Sequence, residues 1–360
     1  PMATLHTHHP GPTDPTGPRR WNVAPVPQSL HIPAIARLLA PRATDNELRQ
    51  AALDFQQNLL AEGFDASRLW ATFQPAPDGT TLLGQACMVV PSSGRTAGVY
   101  CSFEHPHTTT PSHILGYPLS DAQTAERFDQ RVALLRESLR WMRTPAKQDG
   151  IDIHLAQALI EPSQEDLAAA FVAAGFSRLA ELAYLRRDIP RFGRMDPPKF
   201  PKGVTLVRVA DLGWEAAQAP LLAAMQRSYI DTHDCPALCA IREAKDVLAS
   251  HKAVGLFDPS LWTIVMHHQN PEGCLLLNPF AQQETVELVY IGLGPLLRGQ
   301  GIASALLQHA LCTLQTLGTR RLACAVDLAN TPALKLYKNT KFRQFAKRLG
   351  LIADVRAAAH

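Results

Sequence analysis

The sequence predicts an α/β protein made of two related modules in tandem. Three observations carry this expectation. Apolar residues switch repeatedly between a two-residue and a helical period. The order helix, helix, strands, helix, strand, helix, strand is read once before about residue 189 and again after about 203. Two matching stretches also occupy matching places: Leu167-Ala-Ala-Ala-Phe171-Val-Ala-Ala-Gly175-Phe176 and Ala333-Leu-Lys-Leu-Tyr337-Lys-Asn-Thr-Lys341-Phe342, which set Phe171 against Tyr337 and end on a shared Phe.

Length agrees, since 360 residues exceed a usual single domain. Residues 1–20 are rich in Pro, Gly, Thr and His without an apolar period and are expected to form a disordered lead, His6, His8 and His9 included. Helical spacing follows around Ile32–Leu39 and Asn46–Leu60. Strands are expected at Arg68–Phe73, Thr81–Val90 and Ala97–Phe103, separated by the turn signals Pro77-Asp78-Gly79 and Pro91-Ser92-Ser93-Gly94. A long helix over Ala122–Met142 aligns Phe128, Val132, Leu135, Leu139 and Met142 on one face. Then come a strand at Ile151–Ile160, a helix at Gln164–Ala174 stopped by Gly175, and a strand at Phe176–Arg187. This first module spans 21–189. The proline-bearing stretch 190–202 reads as the linker, with a boundary near 198.

The second module, 203–360, opens with a strand at Val204–Val209 and a helix at Trp214–Ser228 that Pro220 is expected to interrupt. Residues 229–239 are polar and irregular. A helix at Ile241–His251 and strands at Trp262–His267 and Glu272–Leu277 follow, joined by a turn over Gln269–Gly273. His233, Asp234, Cys235 and Cys239 have poor zinc spacing, so no metal is expected.

The most informative stretch is Glu287–Ser304. An alternating strand through Glu287, Ile291, Gly292 and Leu293 runs into Gly294-Pro295, then Arg298-Gly299-Gln300-Gly301-Ile302-Ala303, then a helix opening at Ser304. Free main-chain N–H groups at a helix start, with glycines that admit close approach, bind anions; Arg298 adds a charged donor. Read alone, the stretch also suits a plain tight turn. The absence of Lys-Ser or Lys-Thr after the last glycine excludes a mononucleotide loop, and its late position argues against a dinucleotide fingerprint. Downstream lie a strand at Arg321–Val326 and a helix at Asn330–Lys338, capped by Asn330 or Thr331 with Pro332 in its first turn.

The pattern Arg-x-x-Gly-x-Ala resembles the coenzyme A pyrophosphate loop of the GNAT acyltransferase superfamily. Asn330, Ala333, Tyr337 and Phe342 resemble that family's next motif, with Lys341 standing where members carry Gly. The resemblance covers about 204–354 and implies two GNAT-like modules, each with a mixed central sheet flanked by helices. It further implies that acetyl-CoA is the co-substrate of an N-acetyltransferase. By the same resemblance, Ile291, Gly292 and Leu293 pair with the pantetheine arm, Gly299, Gln300, Gly301, Ile302, Ala303 and Ser304 hold the pyrophosphate beside Arg298, and Asn330 reaches the arm. Glu287 is the general-base candidate and Tyr337 the general-acid candidate. Four residues separate Glu287 from Ile291, which in a regular strand puts both on one face. Cys324, in an apolar strand, is a poor nucleophile. The first module lacks the glycine loop between Phe103 and Ala122 and has Phe171 at the tyrosine position, so it is expected to keep the fold without the chemistry.

The expected acceptor is a small-molecule amine. A non-catalytic acyl-CoA-binding module and a peptide or protein N-acetyltransferase are the alternatives. A net charge of +3 and the lack of basic runs with interleaved aromatics argue against nucleic acid. No run of about 18 apolar residues is present, which argues against a membrane partner. Seven scattered cysteines suit reduced thiols and, with no apolar leader core, a cytoplasmic location. Monomer and homodimer are both compatible.

Overall fold

The fold is organised by one 12-stranded mixed sheet in which the two halves exchange their last strands. A computed structural model describes residues 21–39, 44–61, 68–75, 81–102, 121–144, 152–280 and 284–357. The expected lead at 1–20, the turn at 77–79 and the stretch from Phe103 to Ser120 lie outside the described residues.

The first half contributes β1 (Asn22–Pro25), α1 (His31–Ala36), α2 (Asp45–Ala61), β2 (Leu69–Pro75), β3 (Thr81–Ser92), β4 (Thr96–Cys101), α3 (Asp121–Met142), β5 (Leu155–Ile160), α4 (Glu165–Ala174) and β6 (Ser177–Asp188). The second contributes β7 (Val204–Arg208), α5 (Val209–Leu212), α6 (Trp214–Tyr229), α7 (Pro236–Cys239), α8 (Ala244–Ala253), β8 (Trp262–His267), β9 (Asn270–Phe280), β10 (Thr285–Leu293), α9 (Ile302–Thr316), β11 (Arg321–Asp327), α10 (Thr331–Asn339) and β12 (Arg343–Asp354). The strand order is β1-β2-β3-β4-β5-β12-β6-β11-β10-β9-β8-β7. Neighbours are antiparallel except β4–β5 and β10–β11.

Thus β12 of the second half pairs with β5 of the first, and β6 of the first pairs with β11 of the second. The two junctions share one register: Ile160 faces Leu349 and Val326 faces Ala183, a shift of 166 residues from 160 to 326 and from 183 to 349. Lys347 pairs with Ala183, and Leu349 lies two residues on, so Leu349 and Ala183 share a face. Leu349 belongs to the core under α3 and α4, and Ala183 to the core under α9 and α10. Those four helices therefore lie on one side of the sheet. Alternate residues of β2 and β3, such as Ala71 and Met88, pack on the other side with α1, and Ile264, Cys274 and Leu276 pack there with α6 and α8.

Several expectations need correction. The short edge strand β1 lies ahead of the helical stretches and is not among the expected elements; pairing with β2 holds it. Strand β5 begins at Leu155 rather than Ile151. Pro220 does not interrupt α6: the helix runs through it, losing one main-chain donor. The β8–β9 connection is His268-Gln269, earlier than expected, with His268 at φ +56. Lys341 adopts φ +64, so a lysine takes the left-handed position that Gly175, at φ +109, takes in the first half.

The main correction concerns β10. Its register on β9 shifts between Leu288 and Tyr290, making Val289 a one-residue bulge. A bulge reverses the alternation of side chains. Val286, Leu288 and Ile291 pack toward α9, so Glu287 and Ile291 face opposite sides rather than one, and Glu287 shares the α6 side with Tyr290.

Candidate active site

The site forms where β10 and β11 part. They pair in parallel only through Thr285–Arg321, Val286–Leu322 and Glu287–Ala323, whereas β10 stays paired with β9 on its other edge as far as Leu293. From Leu288 on, the β11-facing edge of β10 therefore has no strand beside it. Ile291, Gly292 and Leu293 lie on this stretch. Gly292 has a packing reason as well: a Cβ there would stand 2.7 Å from Ser228 Cβ and Oγ, so only glycine lets α6 come this close.

At the far end of β10 the chain turns through Pro295–Leu297 into the glycine loop. Gly299 and Gly301 take φ +74 and +75, and no heavy atom lies within 4 Å of where their Cβ atoms would stand. Gly301 caps α9, so the donors of Ile302, Ala303 and Ser304 form an open helix start. This arrangement suits an anion held by main-chain N–H groups. The Arg298 side chain is engaged elsewhere. Its guanidinium donates to the carbonyls of Leu293 (2.9 Å), Ser228 (3.0 Å) and Asp231 (3.5 Å), joining β10 to the end of α6. Gln300 donates to the carbonyl of Leu296 at 2.7 Å, which closes the turn on itself.

Glu287 is half-buried, and burial alone raises its carboxyl above the ordinary range. Tyr184 stands near enough for Glu287 to push its phenol upward, burial being the larger cause. This neighbour is supplied by the first half, because β6 runs beside β11. Tyr337 is buried on α10 with its ring edge-on to Phe342 at 5.2 Å, and its hydroxyl stands beside the Cys324 thiol. Burial, then Cys324 and Asp234, hold that phenol well above its usual pKa, so it keeps its proton. Burial lifts the Cys324 thiol to about 12, which disfavours the thiolate a nucleophile needs.

Asn330 has two roles. Its Oδ1 accepts from the Ala333 N–H at 3.2 Å as the cap of α10, and its side chain also stands close enough to Asp234 to favour that carboxylate slightly. Asp234 keeps an exposed edge, yet protein atoms crowd its carboxyl enough to raise its pKa. The Cys235 N–H donates to Asp327 at 3.3 Å, so the 229–239 segment is tied to the end of β11. The sequence marked Asp234 only as a doubtful metal ligand. Its link to Asn330 spans almost a hundred positions and has no local signal, and the same is true of Tyr184. Among the described residues, no group of three or more His, Cys, Asp or Glu side chains is placed to hold a metal, and no helix is long and apolar enough to cross a membrane.

Comparison with known proteins agrees with this geometry. Residues 224–342 match the model of the Acetyltransferase (GNAT) family. The GCN5-related N-acetyltransferase of Sphaerobacter thermophilus is similar over 96% of this chain and 98% of its own, with 19% identity and a TM-score of 0.58. The glucosamine N-acetyltransferase region of a fungal multi-domain GH3 β-N-acetylglucosaminidase is similar over 95% of this chain and 39% of its own, with 11% identity and a TM-score of 0.51. No curated protein sequence matches the chain. Residues 224–342 therefore match the GNAT family model, and the chain has a fold that a GCN5-related N-acetyltransferase shares along nearly its whole length.

Proposed function

We propose that the second half, residues 203–360, moves an acetyl group from acetyl-CoA to the amine of a small molecule by direct transfer. The first half, residues 21–189, is its non-catalytic partner, joined through 190–202. The observation that carries this reading is the parting of β10 from β11 directly after Glu287, with an open helix start at the far end of the gap. The free edge at Ile291, Gly292 and Leu293 suits an extended arm added as a strand. The turn from Arg298 to Ser304 suits the diphosphate, with main-chain donors facing it and Arg298 holding the turn in shape. Asn330 borders the arm.

In this reading the amine nitrogen attacks the thioester carbonyl, the new C–N bond forms and the C–S bond breaks. Glu287 takes the proton lost by the amine, directly or through one water, and its raised pKa brings it closer to the range of a useful base. Tyr337 gives its proton to the departing thiolate, and burial raises the basicity of that thiolate as it raises the phenol. The internal strand exchange supports a monomer, and the reduced cysteines a cytoplasmic setting.

The test is thiol release from acetyl-CoA with a panel of primary amines, for the wild type and Glu287→Gln. Amine-dependent release that the variant loses, with acetyl-CoA binding retained, is expected. Binding of acetyl-CoA without release for any amine would favour the acyl-CoA-binding alternative.

A further inference from the structure

A second cluster shares the Glu287 side of the sheet and has no part in the transfer step. Its centre is Tyr290, which the bulge at Val289 turns toward α6 and α8. The Tyr290 hydroxyl meets Ser228 Oγ at 2.7 Å. Its ring stacks on His251 at 5.3 Å and receives the edge of Tyr229 at 6.1 Å. Arg242 borders the same group, with one terminal nitrogen donating to Ser250 Oγ and to the Asp246 carbonyl. Three polar atoms of this cluster are sealed from solvent with no hydrogen-bond partner: Tyr229 Oη, Arg242 Nε and His251 Nε2.

Buried polar atoms without a partner are uncommon, and these three belong to side chains that stand close enough for Arg242 to act on both of the others. All three can donate. The guanidinium Nε carries a hydrogen, the hydroxyl rotates, and a neutral imidazole donates from Nε2 in one tautomer. Burial and the nearby Arg242 hold His251 neutral, down to about 3, so the positive charge of the cluster rests on Arg242. Of the acids closest in sequence, Asp246 acts on Arg242 through its charge but makes no side-chain ion pair with it. Glu243 and Asp246 pair instead with Arg95 of the first half, at 2.8 and 2.6 Å. A half-buried guanidinium with a sealed Nε, beside two further donors and with its neighbouring carboxylates paired elsewhere, calls for an oxyanion.

We propose that Arg242, Tyr229 and His251 bind a carboxylate carried by the acceptor amine. This deepens the transferase reading and rests on it. Tyr290 follows Glu287 by three residues, about 10 Å of strand or somewhat less with the bulge. An amine at Glu287 and a carboxylate beside the Tyr290 ring are therefore separated by several bonds, as in a long ω-amino acid or a side-chain amine of an amino acid. Arg95 has a place in this too: by holding Glu243 and Asp246 it leaves Arg242 available for the substrate.

The test uses the full chain, acetyl-CoA and two matched acceptors, aminocaproate and hexylamine, which differ in the carboxylate. The wild type is expected to show a kcat/KM for aminocaproate roughly tenfold to a hundredfold above that for hexylamine, the range of a charged hydrogen-bonded contact. Arg242→Gln is expected to bring that ratio toward one, and Arg242→Lys to keep part of it. Tyr229→Phe, which removes only a partnerless hydroxyl, is expected to lower the ratio severalfold and carries the comparison if Arg242→Gln does not fold. Release at equal efficiency with both acceptors, or a preference that survives both Arg242→Gln and Tyr229→Phe, overturns the carboxylate site while leaving the transferase reading standing. No release with any amine and no acetyl-CoA-induced rise in Tm overturns that reading, and the site with it.

Discussion

The two halves share a frame and differ in what stands on it. In β4 the third residue paired in parallel with the next strand is Gly98, facing Gln157; in β10 it is Glu287, facing Ala323. Shifted by the 166 residues that relate the junctions, Phe171 falls on Tyr337. Both are buried, and both meet a following phenylalanine edge-on, Phe176 at 4.9 Å and Phe342 at 5.2 Å. The apolar demands of the position are thus the same in both halves, and the hydroxyl is added only in the second. Packing maintains the fold wherever volume and pattern are kept, whereas the proposed chemistry needs a carboxylate and a phenol that packing does not require.

The largest expected effect comes from breaking the frame. A chain of residues 203–360 alone lacks β6, so β11 loses its antiparallel partner and β12 loses β5 and β6 together. It is expected to be insoluble or to lack a cooperative melt, and a soluble fragment with cooperative unfolding would contradict the exchange as a requirement for folding. Next in size is the base. Glu287→Gln is expected to lower kcat by about a hundredfold to ten-thousandfold and to abolish the acidic limb of the pH–rate profile, which in the wild type lies above the ordinary glutamate value.

The acid position allows a reciprocal test. Tyr337→Phe is expected to lower kcat roughly tenfold or more while leaving Tm nearly unchanged. Phe171→Tyr buries a hydroxyl without a partner and is expected to destabilise the fold by about 1–3 kcal/mol without adding activity. If both substitutions acted on stability alone, the two positions would be equivalent and the contrast between the halves would fail there.

The smallest effect is on stability against pH. A carboxyl whose folded pKa is raised binds protons more readily in the folded state, so Glu287 destabilises the fold above that pKa, and this cost disappears as pH falls through it. Glu287→Gln is therefore expected to melt above the wild type at pH 8, with the gap closing as the pH approaches the ordinary value of about 4.3. Buried His251 acts in the opposite sense. Its lowered pKa weakens the fold as pH drops below the ordinary histidine range, so the difference between variant and wild type, rather than either curve alone, is the quantity to follow.

Much of the frame was legible because it is written locally. Apolar periods located most helices and strands, Gly175 marked the end of α4, and Gly299 and Gly301 lie in the turn expected before α9, where the structure gives both a positive φ. What was not legible depends on partners distant in the chain. No local pattern indicates that β6 and β12 cross between the halves, so neither the independence of the modules nor the nearness of Tyr184 to Glu287 could be read. The bulge at Val289 is hidden for the same reason: Leu288-Val289-Tyr290-Ile291 is β-favouring throughout, and only the register on β9 shows which residue is extra. Arg298 looked like a free cation, yet its guanidinium closes on carbonyls of two separate segments. Sequence spacing thus put the glycine turn before α9 and Tyr337 on α10, but did not give the direction of the Glu287 side chain.

The central claim is that one half of the chain, and only one, binds acetyl-CoA. Calorimetric titration of the full chain with acetyl-CoA tests it most directly, beside Gly301→Glu, which places a side chain and a negative charge at a positive-φ glycine of the proposed diphosphate turn. One site per chain, lost in the variant, is the expected result. Two sites, no site, or one site that survives Gly301→Glu would contradict the account.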